Sequence, residues 1–280
     1  MTTVAERRQI FRALHESGCF VLPNPWDVGS ARYLAGLGYK ALATTSSGAA
    51  WSLGRPDGGV ALGPMLDHIR ALVEATDLPV NADFLAGFAT APEAVAENVR
   101  RCIETGAAGL SIEDATGDDG APLFDFALAV ERIAAARAAI DAGGGDVLLV
   151  ARSECYLTGH PTPLKEAIGR LRAFSEAGAD CLYAPGAGTI EDISEIVAAV
   201  APKPVNVLAG GSGSLTVGQL AALGVRRISV GGALARMAWA GFMKAAREIA
   251  ETGSFAAFES AARGAELNRL FTAGQLRRAP

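Results

Sequence analysis

Thr105-Gly-Ala-Ala-Gly-Leu-Ser-Ile-Glu113 reads as the end of a helix, a turn, and a short buried strand that stops at a carboxylate. Glycine supplies the left-handed residue that closes a helix, and the apolar run behind it has the length of a strand. The same punctuation recurs in Gly36-Leu-Gly-Tyr-Lys-Ala-Leu42, Ala177-Gly-Ala-Asp-Cys-Leu182 and Leu223-Gly-Val-Arg-Arg-Ile228. Working outward gives eight β-rich runs, near Phe20 to Leu22, Ala41 to Thr45, Val80 to Asp83, Gly109 to Glu113, Val147 to Ala151, Cys181 to Ala184, Val205 to Leu208 and Arg227 to Val230. Stretches of helical period separate them. Thr90-Ala-Pro-Glu93 and Thr189-Ile-Glu-Asp192 place a hydroxyl before the first helical turn and an acid three residues on, the pattern of a capped helix start. Eight alternating units predict an α/β protein with a (β/α)8 TIM barrel rather than an open doubly wound sheet.

A chain of 280 residues, 50% hydrophobic, is long enough for one large core, so a single domain over 1–280 is expected. The barrel core would occupy 1–235. Helical stretches around Ala235 to Glu251 and Phe255 to Phe271 exceed what closure requires, and residues 236–280 are expected to pack against another subunit. Net charge is -5, with no Lys/Arg-rich run or aromatic-basic alternation, so no nucleic-acid footprint is present. Cys19, Cys102, Cys155 and Cys181 follow no paired spacing, which predicts reduced thiols in a cytoplasmic protein and gives no support for zinc. The N-terminus lacks the apolar core of a signal peptide. Charged residues interrupt the alanine-rich runs well short of the roughly 20 residues a bilayer requires, so no membrane partner is expected.

Barrel chemistry belongs at the C-terminal ends of strands. There the chain places Asp57 in Gly-Arg-Pro-Asp, Asp83 in Pro-Val-Asn-Ala-Asp, Glu113 in Leu-Ser-Ile-Glu and Arg152 in Leu-Leu-Val-Ala-Arg. Carboxylates without convergent His or Cys favour a hard cation, Mg2+ or Mn2+; for any one acid, a helix cap or loop salt bridge is the plain alternative. Arg152 is a planar fork suited to a substrate carboxylate or phosphonate, with an ion pair to Glu154 or Glu113 as its alternative. Thr45, Ser46 and Ser47 could cradle an oxyanion through their backbone N–H groups, or form a plain turn. Gly210-Gly-Ser-Gly-Ser214 and Gly231-Gly232 occupy the phosphate-binding corner of such barrels, which supports a rival phosphate-sugar reading beside simple turn chemistry. Lys40, Lys165, Lys203 and Lys244 fall at strand beginnings or on helices and offer no Schiff-base nucleophile. His15 and His68 read as helix-surface residues, whereas His160 and Cys155 share the loop after strand five and could touch a substrate.

These motifs, together with Asn24-Pro-Trp-Asp27, Thr44-Thr-Ser-Ser-Gly48, Ser111-Ile-Glu-Asp114, Pro204-Val-Asn-Val-Leu208 and Ile228-Ser-Val-Gly-Gly-Ala-Leu-Ala-Arg236, resemble the isocitrate lyase/phosphoenolpyruvate mutase superfamily over nearly the whole chain. The resemblance implies a (β/α)8 barrel that binds Mg2+ beside a 2-oxo acid and makes or breaks C–C or C–P bonds next to an enolate. It implies that Asp57, Asp83 and Glu113 hold the ion, partly through waters, and that Arg152, Thr45, Ser46, Ser47 and Asn206 contact substrate, with Arg152, Glu113 and Asp57 taking part in catalysis. It further implies exchange of the last barrel helix within a homodimer or homotetramer. Two departures stand out. Leu85 occupies the position where the resemblance places a second acid of the metal motif, a loss expected to weaken Mg2+ binding. The loop after strand four, Ala115-Thr-Gly-Asp-Asp-Gly-Ala-Pro122, lacks the Lys-Lys-Cys-Gly-His of isocitrate and methylisocitrate lyases and the Lys and Asn of the phosphonate mutases.

The expectation is therefore a Mg2+-dependent enzyme acting on a small 2-oxo dicarboxylate such as oxaloacetate, by decarboxylation or C–C cleavage. Decarboxylation requires only the electrophilic half of the site, because solvent can supply the final proton. The alternatives are C–P chemistry on phosphonopyruvate or carboxyphosphonoenolpyruvate, and a barrel that binds a carboxylate without turnover.

Overall fold

The computed structural model describes residues 2–211 and 213–272. Eight parallel strands, β1 (Phe20–Leu22), β2 (Leu42–Ala43), β3 (Val80–Asp83), β4 (Gly109–Glu113), β5 (Leu148–Arg152), β6 (Cys181–Tyr183), β7 (Val205–Leu208) and β8 (Arg227–Ser229), pair in the order β1-β8-β7-β6-β5-β4-β3-β2. The Ala43 N–H donates to the Pro23 carbonyl at 3.1 Å and joins the first two strands. The result is a (β/α)8 barrel. Helices α1 (Val4–Leu14), α2 (Val28–Gly36), α3 (Ser46–Ser52), α4 (Leu62–Glu74), α5 (Pro92–Ile103), α6 (Phe126–Ala142), α7 (Pro163–Glu176), α8 (Ile190–Val200), α9 (Val217–Ala222), α10 (Ala233–Thr252) and α11 (Gly264–Phe271) accompany the strands. Gly38, Gly106, Gly178 and Gly224 all have positive φ, as their helix-closing role requires. Among the described residues no helix is long and apolar enough to cross a membrane, and all four cysteines are free thiols.

Strand periodicity assigns each side chain to one of two cores. Leu110 and Ile112, Leu149 and Ala151, and Val205 and Val207 point outward and are buried under the helices. The other parity points inward: Leu148 and Val150, Cys181 and Tyr183, and Phe20 and Leu22 form the barrel interior with Phe11 of α1, which closes the N-terminal mouth. Gly109 is required by this closure. A Cβ there would lie 2.7 Å from Phe11 Cε1 and 2.8 Å from Asn81 Oδ1. Small inward residues above it, Ala43 and Ser111, leave the upper barrel hollow.

Several expectations are corrected. β2 covers only Leu42–Ala43 because Thr45 has already turned to cap α3; β5 begins and ends one residue later than expected, which brings Arg152 into the strand. Thr90 does not cap α5, which starts with Ala91 as N-cap and Pro92 in its first turn, whereas Thr189 does accept from the Asp192 N–H. The stretch from Phe255 to Phe271 is not one helix but a 3-10 segment, Ala256–Ser260, and then α11, with extended backbone at Ala261 and Arg263 between them. α10 starts at Ala233, before the expected boundary at residue 235. The end of the expected C-terminal region, residues 273–280, lies outside the described residues, as does Ser212 of the glycine-rich segment.

His15 is not a surface residue. It is buried at the C-cap of α1, edge-on to Phe11 and Phe20 at 4.7 and 5.0 Å. Its Nδ1 meets the Phe11 carbonyl at 2.7 Å, and its Nε2 has no partner among the described residues. Burial, reinforced by the charge of Arg227, pushes its pKa down to about 3. The unfolded chain then binds a proton that the folded chain refuses, so stability is fully present above the ordinary histidine pKa and is lost as pH falls towards the folded value. Replacing His15 with Leu should flatten the urea-midpoint profile by roughly 2 kcal/mol between pH 6.5 and 5; equal slopes for the two proteins would remove His15 as the cause. Gly109→Ala should cost about 1–3 kcal/mol in the same denaturation measurement, through overpacking against Phe11.

Candidate active site

Asp83, Glu113 and Arg152 are the last residues of β3, β4 and β5, and the inward parity of each strand carries all three to the mouth of the barrel. They meet in one ion cluster. Arg152 donates through Nη1 to Asp83 Oδ1 (2.9 Å), through Nη2 to Glu113 Oε2 (3.1 Å), and through Nε and Nη2 to Glu154 Oε1 (2.9 Å each). The other Asp83 oxygen accepts from the Ser46 N–H at 2.9 Å, and the Asp83 N–H donates to Thr44 Oγ1 at 2.8 Å. Asp57 joins the same cavity, although it does not end a strand. It stands in the loop between α3 and α4, and the Gly58 N–H donates to its Oδ1 at 3.0 Å.

The cavity is about 240 Å³, just below the roughly 300–1,000 Å³ of drug-sized ligand pockets, so it suits a small molecule. Asp57, Asp83, Glu113 and Glu154 face two guanidinium groups, Arg152 and Arg227, across it. The formal excess of two negative charges equals the charge of one divalent cation. Burial raises the Glu113 and Glu154 pKa values, and neighbouring carboxylates raise them further while Arg152 opposes; burial and then Asp83 raise Asp57. Burial alone would lower the Arg152 pKa, but Glu154, Glu113 and Asp83 outweigh it and hold the guanidinium charged. Among the described residues no three His, Cys, Asp or Glu side chains converge as direct metal ligands, since Arg152 is wedged between Asp83 and Glu113. The all-oxygen, over-acidic donor set fits a hard ion that keeps several of its waters.

Arg152 thus takes the ion-pair arrangement, with all three of its nitrogens on carboxylates. Thr45, Ser46 and Ser47 line the cavity at the start of α3. Thr45 Oγ1 caps the Gly48 N–H and meets Ser47 Oγ at 3.0 Å. The Ser46 N–H is committed to Asp83, and the Ser47 N–H has no acceptor among the described residues, which leaves it a free donor of this turn. Asn206 does not join the site. Its side chain is buried below the cavity, donating to Ser229 Oγ at 3.0 Å and accepting from Arg227 Nε at 3.0 Å. Leu85 forms part of the cavity wall with φ +49, an uncommon conformation for a residue with a branched side chain. His160 and Cys155 stay out of the cavity: the His160 ring accepts from the Thr162 N–H, and burial pushes the Cys155 thiol up to about 11. The Gly210 segment borders a more open hollow that adjoins the cavity, sharing Ser47, Asp57, Leu208 and Gly232 with it, beside Arg236, which donates to the Gly210 carbonyl at 2.6 Å.

Among the cavity residues that sequence reading missed are Glu154, considered only as an ion-pair partner, and Tyr183 and Arg227. Tyr183 packs against Arg152, with its ring centroid 5.2 Å from the guanidinium carbon, and burial pushes its hydroxyl up to about 12. Inward parity on β6 and β8 was the signal available for Tyr183 and Arg227. Beneath the site, Asp114 accepts from the Glu154 N–H at 2.7 Å and pairs with Arg170 at 3.2 Å, and Arg170 also donates to the Phe124 carbonyl at 3.0 Å. Arg132 donates to the carbonyls of Ala89 (2.6 Å), Thr90 (2.9 Å) and Ala86. The loops after β3, β4 and β5 are therefore tied to the helices beneath them.

Residues 11–250 match the family model described as phosphoenolpyruvate phosphomutase. The chain belongs to that family. A solved structure of an inferred lyase/mutase from Burkholderia cenocepacia J2315 is 48% identical, covers 98% of each chain and superposes with a TM-score of 0.93. An oxaloacetate decarboxylase of Bradyrhizobium sp. (strain BTAi1 / ATCC BAA-1182) is 32% identical over 80% of this chain and 78% of its own. The structure of an oxaloacetate acetylhydrolase with its product oxalate is 27% identical, covers 96% of this chain and 95% of the other, and has a TM-score of 0.83. The phosphoenolpyruvate mutase and isocitrate lyase relatives are lyases and mutases that act on carbon–carbon or carbon–phosphorus bonds.

Removing Arg152 while leaving its carboxylates buried exposes the cost of the cluster. Arg152→Met should lose about 3–5 kcal/mol of stability at pH 8 in urea denaturation. Its carboxylates would titrate higher than in the unfolded chain, so the lost stability should return as pH falls towards 5. A deficit independent of pH would show that the guanidinium contributes packing rather than charge.

Proposed function

We propose that this protein is a Mg2+-dependent enzyme, with Mn2+ as a substitute, that decarboxylates oxaloacetate or a closely similar 2-oxo dicarboxylate. The observation that carries this reading is the small cavity whose four carboxylates exceed its two guanidinium groups by the charge of one divalent cation. Asp57, Asp83 and Glu113 would hold the ion, through waters where they do not reach it directly. When bound, it would polarise the 2-oxo group and stabilise an enolate. Arg152 fixes Asp83 and Glu113 and opposes the effect of burial on Glu113, and the Ser47 N–H with the Thr45 and Ser47 hydroxyls offers donors to substrate oxygens at the mouth. In the step itself the C3–C4 bond of the oxo diacid breaks, its electron pair stays on C3 as the enolate, C4 leaves as CO2, and solvent protonates C3. Leu85 and Leu157 line the cavity and give the neutral leaving group an apolar path.

The loop after β4 supports decarboxylation over lyase cleavage of larger hydroxy acids. It closes on itself through the Ala115–Leu123 bridge and the Thr116 N–H to Pro122 carbonyl bond, and it presents no cysteine to protonate a departing fragment. Four free thiols support a reducing cytoplasmic location. Exposed Met237, Phe242, Phe255 and Phe258 on and after α10 support assembly into a homodimer or homotetramer.

Oxaloacetate, phosphonopyruvate, 2-methylisocitrate and 2,3-dimethylmalate should be screened with Mg2+ or Mn2+. Pyruvate and CO2 should form from oxaloacetate, EDTA should stop the reaction, and Asp83→Ala should lower kcat by at least ~100-fold, the loss of several kcal/mol of transition-state stabilisation. Full activity of Asp83→Ala or in EDTA would refute the assignment, and phosphate released from phosphonopyruvate, read by 31P NMR, would move it to C–P chemistry.

A further inference from the structure

Arg227 opens β8, and its inward parity carries the side chain into the barrel below the Arg152 cluster. The residue is 3% exposed. Its Nε donates to Asn206 Oδ1 at 3.0 Å and its Nη1 to Asn81 Oδ1 at 3.3 Å. The remaining terminal nitrogen, Nη2, has no acceptor among the described residues, yet Arg227 lines the cavity. No carboxylate pairs with it among those residues, in contrast to Arg8, Arg137 and Arg170, which all have acidic partners. Arg132, also buried, has three carbonyl acceptors instead.

Burying a guanidinium without a counter-charge is costly. Two neutral amide oxygens orient the group without neutralising it. Burial, with opposition from the charge on Arg152, depresses its pKa below the usual arginine value. Among the described residues Arg152 already commits four of its five N–H donors to Asp83, Glu113 and Glu154 and has a single Nη1 N–H to spare, whereas Arg227 has three. The cavity is therefore bipolar: acidic around Arg152, and cationic where Arg227 presents its free edge.

We infer that Arg227 is the carboxylate-binding residue of this site, holding the carboxylate that the substrate retains and leaving the bond to be broken directed towards the mouth. The inference deepens the proposed function and rests on its reading of this cavity as a 2-oxo acid site. Asn81 and Asn206 position the guanidinium from behind, which explains why Asn206 is buried beneath the cavity rather than exposed in it. A planar carboxylate would complete the donor set of the fork through Nη2. The chemical class selected is a short 2-oxo acid or its planar enolate mimic, whose carboxylate lies on Arg227 while its oxo oxygen reaches towards the acidic corner.

The test measures Mn2+ and oxalate binding separately by titration calorimetry, in the wild type and in Arg227→Gln and Arg227→Lys. Arg227→Gln should bind Mn2+ within 3-fold of wild type and lose at least ~30-fold in oxalate affinity, which is about 2 kcal/mol by the tenfold-per-1.4 rule. Arg227→Lys, which keeps the charge but not the fork, should fall between them. Should Arg227→Gln fail to fold, the wild-type Arg227 Nε–H resonance, identified by its absence in Arg227→Lys, should shift when oxalate is added. Oxalate affinity unchanged in both variants, or an unmoved resonance, overturns the inference while leaving the metal reading intact. Oxalate binding that depends on Arg227 with no Mn2+ binding by the wild type would uphold the inference and remove the metal. Binding of neither probe by the wild type would end both.

Discussion

One guanidinium shared among three buried carboxylates organises the upper barrel. Arg152 holds Asp83, Glu113 and Glu154 within 3.1 Å of its nitrogens, each largely removed from water. Like charges this close repel strongly where solvent screening is poor. The arginine permits them to coexist, and their combined field in turn keeps the arginine charged despite its burial. Such a cluster contributes little net stability compared with an apolar core of the same volume. Its consequence is functional: one positive charge cannot neutralise three acids, and Asp57 adds a fourth.

That imbalance gives the cavity its chemical direction. Around Arg152 the carboxylates hold more negative charge than the side chains there can match, and burial makes several of them reluctant to ionise. At Arg227 the opposite holds, a buried cation with only neutral acceptors. A site with both poles recognises a ligand that is electron-rich at one end and can be polarised at the other, as an oxo acid is.

The arrangement is held from below rather than by the residues that line it. Asp114 fixes the Glu154 backbone and is anchored by Arg170; Arg132 gathers three carbonyls of the loop that follows β3. That loop carries Leu85 and Phe88 at positive φ, conformations that persist only where the surroundings over-determine them. At the other end of the barrel, Phe11 fills the closed mouth against Gly109, which leaves the hollow only where the strands end.

The sequence by itself determined the barrel and the identity of the rim residues. Glycine closing the helices at Gly38, Gly106, Gly178 and Gly224, short apolar strands and their two-residue period are local features, set by backbone sterics and by which side chains avoid water, so they are legible without neighbours. Asp83, Glu113 and Arg152 could be placed at the rim for the same reason. Only the tertiary structure decided what those residues do to one another. Whether Arg152 faces a ligand or its own carboxylates, and whether Asn206 contacts the cavity or supports Arg227, depends on distances between strands far apart in the chain. His15 looked like a surface histidine because its helix is amphipathic and its burial is set by Phe20 and the barrel floor. The charge balance of the cavity sums side chains from four strands and two loops, and no local pattern encodes such a sum.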